Sequence, residues 1–121
     1  MAKEFKVDLR QKCYSFGLQI IKICDNLPAR GSAVVICNQI IRSSTSIGAN
    51  LIEAKASSSR LEFKKFYEIS LKSANETLYW LELMRDAGLC ERETIEKLEK
   101  ELEEITKMLA VGVMRLKNKN F

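Results

Sequence analysis

Histidine is absent from the 121 residues of this chain. Its absence excludes His-based catalytic triads, Glu-x-x-His di-metal bundles and most zinc sites. Proline occurs once and glycine five times, so few residues interrupt helices. The four cysteines (Cys13, Cys24, Cys37 and Cys90) form no C-x-x-C pair. They predict free thiols in a reducing compartment, with no bound metal.

Long apolar runs are also missing. The longest stretch without a charged residue is 31–41, whereas a membrane-spanning helix needs about 20 apolar residues. The first residues carry charge from Lys3 onward, so they do not resemble an apolar signal segment. These features predict a cytoplasmic protein without a membrane partner.

The apolar residues follow a helical period. They make up 46% of the chain, enough for the core of a single domain spanning 1–121, and recur at spacings of three and four. Breaks fall near Pro28, at 56–59 and at Gly88. The predicted helices are about 7–27, 33–55, 60–87 and 91–117.

Four helices of this length joined by short breaks favour an all-α, antiparallel up-down-up-down four-helix bundle. A long two-hairpin coiled coil is the alternative. Ser59 and Glu62 have the spacing of a capping box at the start of the third helix, and Gly88 suits the position just after its end. The third helix is expected to bury a stripe of large residues: Phe63, Phe66, Ile69, Trp80 and Met84.

The second helix carries two adjacent stripes. The predicted core stripe is Ile36, Ile40, Ser43, Ile47, Leu51 and Ala54. A polar stripe beside it is Gln39, Arg42, Ser46, Asn50 and Glu53. Folding the hairpin between the second and third helices brings Arg42 level with Ser73 and close to Glu76. We therefore predict a buried Arg42–Glu76 pair within a structural polar network of Arg42, Ser46, Asn50, Glu53, Ser73 and Glu76; an ordinary solvated face is the alternative.

The predicted topology distributes the charges unevenly over the bundle. The net charge is only +4, but one bundle end collects the start of the first helix, the second break and the C-terminus. Bases outnumber acids there, which predicts a nucleic-acid-binding end with Tyr67 and Phe121 available to stack on bases. The alternative is a solvated end whose bases complement helix dipoles. The predicted phosphate-binding residues are Lys6, Arg10, Lys12, Arg60, Lys64, Lys65, Arg115, Lys117 and Lys119.

Two segments resemble a known family. Residues 39–54, QIIRSSTSIGANLIEA, resemble the second-helix signature of the 23S ribosomal RNA intervening-sequence proteins. Residues 62–77, EFKKFYEISLKSANET, resemble its third-helix signature. The resemblance implies a four-helix bundle that assembles into a ring, a homopentamer in known cases. The related accessory variability proteins of diversity-generating retroelements are basic bundles that work with nucleic acid.

The function expected from these features is that of a non-enzymatic, oligomeric accessory protein binding RNA or DNA phosphates. A protein-interaction scaffold that does not bind nucleic acid is the alternative. Catalysis is disfavoured because the candidate groups, Glu53, Glu76 and Cys37, have no visible activating base, and no cofactor is expected.

Overall fold

The computed structural model describes residues 8–117, which form four helices joined by short turns. They are α1 (Leu9–Asp25), α2 (Gly31–Lys55), α3 (Arg60–Asp86) and α4 (Arg92–Lys117). Each helix packs against the next one along the chain, and α4 returns to pack against α1. This is the predicted all-α, up-down-up-down bundle.

The helix boundaries lie within two residues of the predicted ones, and the end of α2, the start of α3 and the end of α4 coincide with them. α1 ends at Asp25 rather than 27 because its last turn tightens, with the N–H of Asn26 bonded to the carbonyl of Ile23 at 3.0 Å. α2 begins at Gly31, two residues earlier than predicted, and Gly31 itself has a left-handed φ of +63°, which glycine adopts readily. The predicted start of the first helix, residue 7, lies outside the described residues.

The caps of α3 follow the sequence closely. The Ser59 hydroxyl accepts a hydrogen bond from the N–H of Glu62 at 3.1 Å. The Glu62 carboxylate accepts from the N–H of Ser58 at 3.0 Å, one residue earlier than in a standard capping box. At the other end, Gly88 has a φ of +69°, and the N–H of Leu89 reaches the carbonyl of Met84 at 3.1 Å. This is a Schellman closure, as the glycine predicts.

The face of α3 that enters the core differs from the predicted one except at Met84, which is fully buried as expected. Phe63, Phe66, Ile69 and Trp80 are only partly buried. The buried residues are Ser70, Ala74, Thr77, Leu81 and Met84. Small side chains let α3 approach α2 closely, and the large side chains beside them lie at the edge of the helix pair.

Hydrogen bonds make burial of these small polar residues possible. Thr77 donates to the carbonyl of Ser73 at 2.7 Å, and its hydroxyl is also hydrogen-bonded to that of Ser43 at 2.8 Å. Ser70 donates to the carbonyl of Ile47 at 2.7 Å. No buried side-chain nitrogen or oxygen within 8–117 lacks a partner. A helix pattern based on size alone therefore misplaces this interface.

The α1–α4 contact is the smallest of the four helix contacts. Two polar bridges cross it: Lys12 to Glu104 at 3.1 Å, and Gln19 to Glu101 at 2.8 Å. Across residues 8–117, none of the helices combines the length and apolar character needed to traverse a bilayer.

Candidate functional site

The polar stripe of α2 meets α3 in the predicted register. Arg42 donates hydrogen bonds to the carboxylate of Glu76 and to the side-chain oxygen of Gln39, the latter at 3.1 Å. The indole N–H of Trp80 donates to the same Glu76 carboxylate oxygen at 2.9 Å. The side chains of Arg42 and Glu76 are 56% and 36% exposed, so the pair forms at a half-exposed edge rather than in the buried setting that we expected.

A second group of hydroxyls continues this contact along the hairpin. The hydroxyls of Ser46 and Ser73 are 2.9 Å apart, and the amide of Asn50 donates to the Ser46 hydroxyl at 2.9 Å. Glu53 is exposed and, within residues 8–117, makes no hydrogen bond or ion pair. The structure thus brings together all the predicted network residues except Glu53.

The predicted cations lie at one end of the bundle. Arg10, Lys65, Arg115 and Lys117 are exposed, and none of them has an ion pair or hydrogen bond within the described part of the chain. Lys64 is half-buried, and Arg60 is exposed as the first residue of α3. Lys6 and Lys119 lie outside the described residues.

Lys12 differs from the other predicted cations because its ammonium group faces the Glu104 carboxylate at 3.1 Å. A carboxylate this close neutralises part of the charge available to a phosphate. The linear sequence gives no sign of this pairing, since the two residues lie on the first and last helices.

Tyr67 lies at the same end but is integrated into the bundle. Its ring stacks against Phe63, with centroids 5.7 Å apart and planes inclined by 22°. Its edge also presses on α4, where a Cβ added to Gly112 would lie 2.4 Å from the ring. Tyr67 is therefore not the free stacking platform that we expected, and Phe121 lies outside the described residues. Burial, with a smaller contribution from Cys13, raises the pKa of the Tyr67 phenol, although nearby Arg115 opposes this shift.

A groove opens between the start of α1 and the end of α4. Its volume is about 590 Å³, and Tyr67 lies beneath it. The predicted phosphate-binding residues do not include its α4 wall as a whole, in which Lys107, Val111 and Arg115 recur every four residues. That spacing is the one signal that could have identified the wall.

An apolar face covers the outside of the α1–α2 pair. Tyr14, Leu18 and Ile52 are exposed beside a groove of about 660 Å³. Small residues line its floor, among them Gly17, Thr45, Gly48 and Ala49. The run of small residues in α2 predicts the close approach of another helix. It does not predict that part of this small-residue surface stays exposed at the groove.

Burial favours the neutral form of two thiols, Cys13 and Cys24. Burial, with a smaller effect of Asp8, raises the pKa of Cys13 to about 12. Burial and the adjacent Cys37 thiol also raise the pKa of Cys24. Within 8–117, no three cysteine or acidic side chains converge in a way that could hold a metal ion.

Comparisons with known proteins agree with this architecture. A family model for the 23S rRNA-intervening sequence protein matches residues 6–111. A crystal structure from Bacteroides thetaiotaomicron VPI-5482, of a protein with unknown function from the S23 ribosomal protein family, superposes with a TM-score of 0.82. The two sequences are 37% identical, and the match covers 88% of this chain and 98% of that one. No curated protein matches the sequence at a significant level.

Proposed function

Because the chain belongs to the 23S rRNA-intervening sequence protein family, we propose that it is a non-enzymatic, oligomeric accessory protein that binds RNA or DNA through its basic end. The observation that carries this proposal is the set of exposed cations that have no ion pair or hydrogen bond within residues 8–117: Arg10, Lys65, Arg115 and Lys117. They come from α1, α3 and α4, so three of the four helices contribute positive charge to this end.

Unpaired surface cations favour phosphate binding for a physical reason. Each one that contacts a phosphate releases a condensed counterion, which provides affinity at low salt without breaking a pre-existing ion pair. Such contacts position a nucleic acid but do not read its sequence. We therefore expect affinity with little sequence preference.

The oligomeric part of the proposal is a ring of identical subunits, a homopentamer by family resemblance. The exposed apolar face with Tyr14, Leu18 and Ile52 supports it, because apolar patches of this kind mark interaction surfaces. A ring would repeat the basic end around its axis. Replacing exposed Ala49 in that face with Arg should lower the mass measured by light scattering, while Asn75→Arg on α3 should not.

The nucleic-acid proposal is tested by fluorescence anisotropy across a salt series. The paired variant Lys64→Glu/Lys65→Glu should weaken binding to all sequences alike and reduce the steepness of the salt dependence. Its matched control is Lys97→Glu/Lys100→Glu, which makes the same change of charge on exposed α4 residues away from the basic end. Equal losses in both variants would contradict a localised binding surface.

The second candidate is a protein-interaction scaffold. The observation in its favour is a charged surface along the first half of α4, in which glutamates outnumber the two lysines, Lys97 and Lys100, beside exposed Leu78. If an intact oligomer binds neither RNA nor DNA at low salt, the scaffold becomes the preferred function. A partner complex that survives nuclease treatment and is lost on Leu78→Asp would then support it.

A further inference from the structure

The groove above Tyr67 has two chemically different walls. On the α4 wall, Lys107 and Arg115 are exposed and have no ion pair or hydrogen bond within residues 8–117. They lie on one helix face, eight residues and therefore about 12 Å apart along the axis. The opposite wall carries Asp8. Phosphates are therefore expected along α4, away from the carboxylate of Asp8.

Between the two cations the groove is apolar. Met108 and Val111 are 39% and 47% exposed, and Gly112 contributes no side chain. A thioether beside other exposed apolar surface is well suited to an aromatic ring, since sulfur–aromatic contacts are favourable. A phosphate alone would not make use of this apolar surface.

The hydroxyl of Tyr67 adds one polar group to the groove. It has no hydrogen-bond partner within the described residues, and it is not sealed from solvent, because no fully buried side-chain oxygen there lacks a partner. A phenol is protonated at neutral pH, and the upward shift of the Tyr67 pKa does not change this, so the hydroxyl is available as a donor. Cations, an apolar floor and one donor together match a nucleotide.

We propose that this groove binds a single unstacked nucleotide, with its base on Met108 and Val111, its polar edge at the Tyr67 hydroxyl and its phosphates on Lys107 and Arg115. This inference rests on the proposed nucleic-acid function and specifies the form of the ligand. In a duplex the base faces are stacked on one another, so the apolar floor would gain no contact. The basic end therefore prefers single strands.

The test compares anisotropy of a labelled oligouridylate of about 15 nucleotides with that of a mixed-sequence RNA duplex of the same length. Tyr67→Phe removes only an unpartnered hydroxyl, and Val111→Ser removes exposed apolar surface, so both variants should fold. Each should weaken binding of the single strand by about threefold to tenfold and leave the duplex unchanged. The matched control is Val35→Ser, an exposed valine near the start of α2, at the far end of the bundle.

The outcomes separate the two proposals. Tighter binding of the single strand, lost selectively in Tyr67→Phe and Val111→Ser, supports the nucleotide groove. Equal affinity of the wild-type protein for both probes overturns the proposal of a nucleotide groove. So does an equal loss of affinity for both probes in the two variants. Neither result contradicts phosphate binding at the basic end. Binding of neither probe by the wild-type protein overturns the proposed function and this inference with it.

Discussion

The guanidinium of Arg42 and the indole N–H of Trp80 donate hydrogen bonds to the same carboxylate oxygen of Glu76. This shared acceptor joins the middle of α2 to α3 and aligns the two helices in one register. Because the Arg42 and Glu76 side chains remain 56% and 36% exposed, water screens their attraction. Its contribution to stability should be small, and its main effect should be on alignment.

A double-mutant cycle measures this interaction. With Arg42→Ala and Glu76→Ala, the coupling free energy from urea unfolding should be about 0.3–1 kcal/mol, and it should decline in high salt. A coupling near zero would show that the pair forms without stabilising the hairpin. A value well above this range would indicate a much less hydrated pair than the structure shows.

Gly112 is required by its contact with Tyr67. A Cβ at this position would lie 2.4 Å from a ring carbon of Tyr67, so Gly112→Ala must displace the ring or the helix. We expect a loss of about 1–3 kcal/mol in the free energy of unfolding, despite the higher helix propensity of alanine. Chemical denaturation measures this loss. In a Tyr67→Ala background, Gly112→Ala should cost much less than it does in the wild-type protein.

Gly48 provides the matched control for Gly112. A Cβ added at Gly48 would meet the Cβ of Cys13 at 3.4 Å, which is within ordinary contact distance. Gly48→Ala should therefore be neutral or stabilising by up to about 1 kcal/mol. Equal destabilisation by both alanine substitutions would refute the assignment of the loss to the Tyr67 ring.

The buried hydroxyls of Ser43 and Thr77 should behave as a unit. The two hydroxyls are hydrogen-bonded at 2.8 Å, and both side chains are fully buried. Thr77→Val should cost about 1–3 kcal/mol because it leaves the buried Ser43 hydroxyl without this partner. In the Thr77→Val background, Ser43→Ala should cost less than it does in the wild-type protein. Thermal unfolding of both single variants and the double variant tests this, and strict additivity would argue against the bond.

Stability should fall under alkaline conditions. The folded chain holds the Cys13 proton up to a pKa of about 12, whereas an unfolded thiol loses it near 9.0. The stabilisation that comes from the protonated Cys13 thiol is therefore fully present below pH 9. It is lost as the pH rises from the unfolded to the folded pKa, by up to about 1.4 kcal/mol per pH unit. Urea midpoints measured at rising pH should decline, and Cys13→Ala should make the decline shallower. An unchanged slope would mean that this thiol does not govern it.

Removing the partner of Lys12 should strengthen nucleic-acid binding. Glu104→Gln leaves the ammonium group of Lys12 free for a phosphate, so the salt dependence should become steeper by up to about one counterion. Glu96→Gln is the matched control, because it removes an equal charge from α4 beside Arg92, away from the basic end. Anisotropy in a salt series should distinguish the two variants. A similar gain in both would point to net charge alone.

The sequence predicts the elements and their order well. Apolar periodicity, one proline and the Ser59 and Gly88 signals place all four helices to within two residues, because helix starts and ends are local events. The Arg42–Glu76 contact is also predictable, since the two residues lie on a hairpin whose register follows from the short turn between α2 and α3.

The part of the site that depends on distant helices could not be read from the sequence. The pairing of Lys12 with Glu104 and the position of Tyr67 against Gly112 both depend on how α4 returns to the other helices. The same holds for the groove wall of Lys107, Val111 and Arg115, which becomes a site only beside the start of α1.

The sequence by itself determined the helices, the bundle topology and the end at which positive charge accumulates, because spacing, caps and turns act over a few residues. The tertiary structure decided which face of α3 is buried, which cations keep their charge free and where an apolar floor stays open. Those features depend on close packing of small side chains such as Ser43 and Thr77, and on pairs formed between helices remote in sequence. Helical periodicity measures size and polarity along one helix, but not the shape of the surface that it meets.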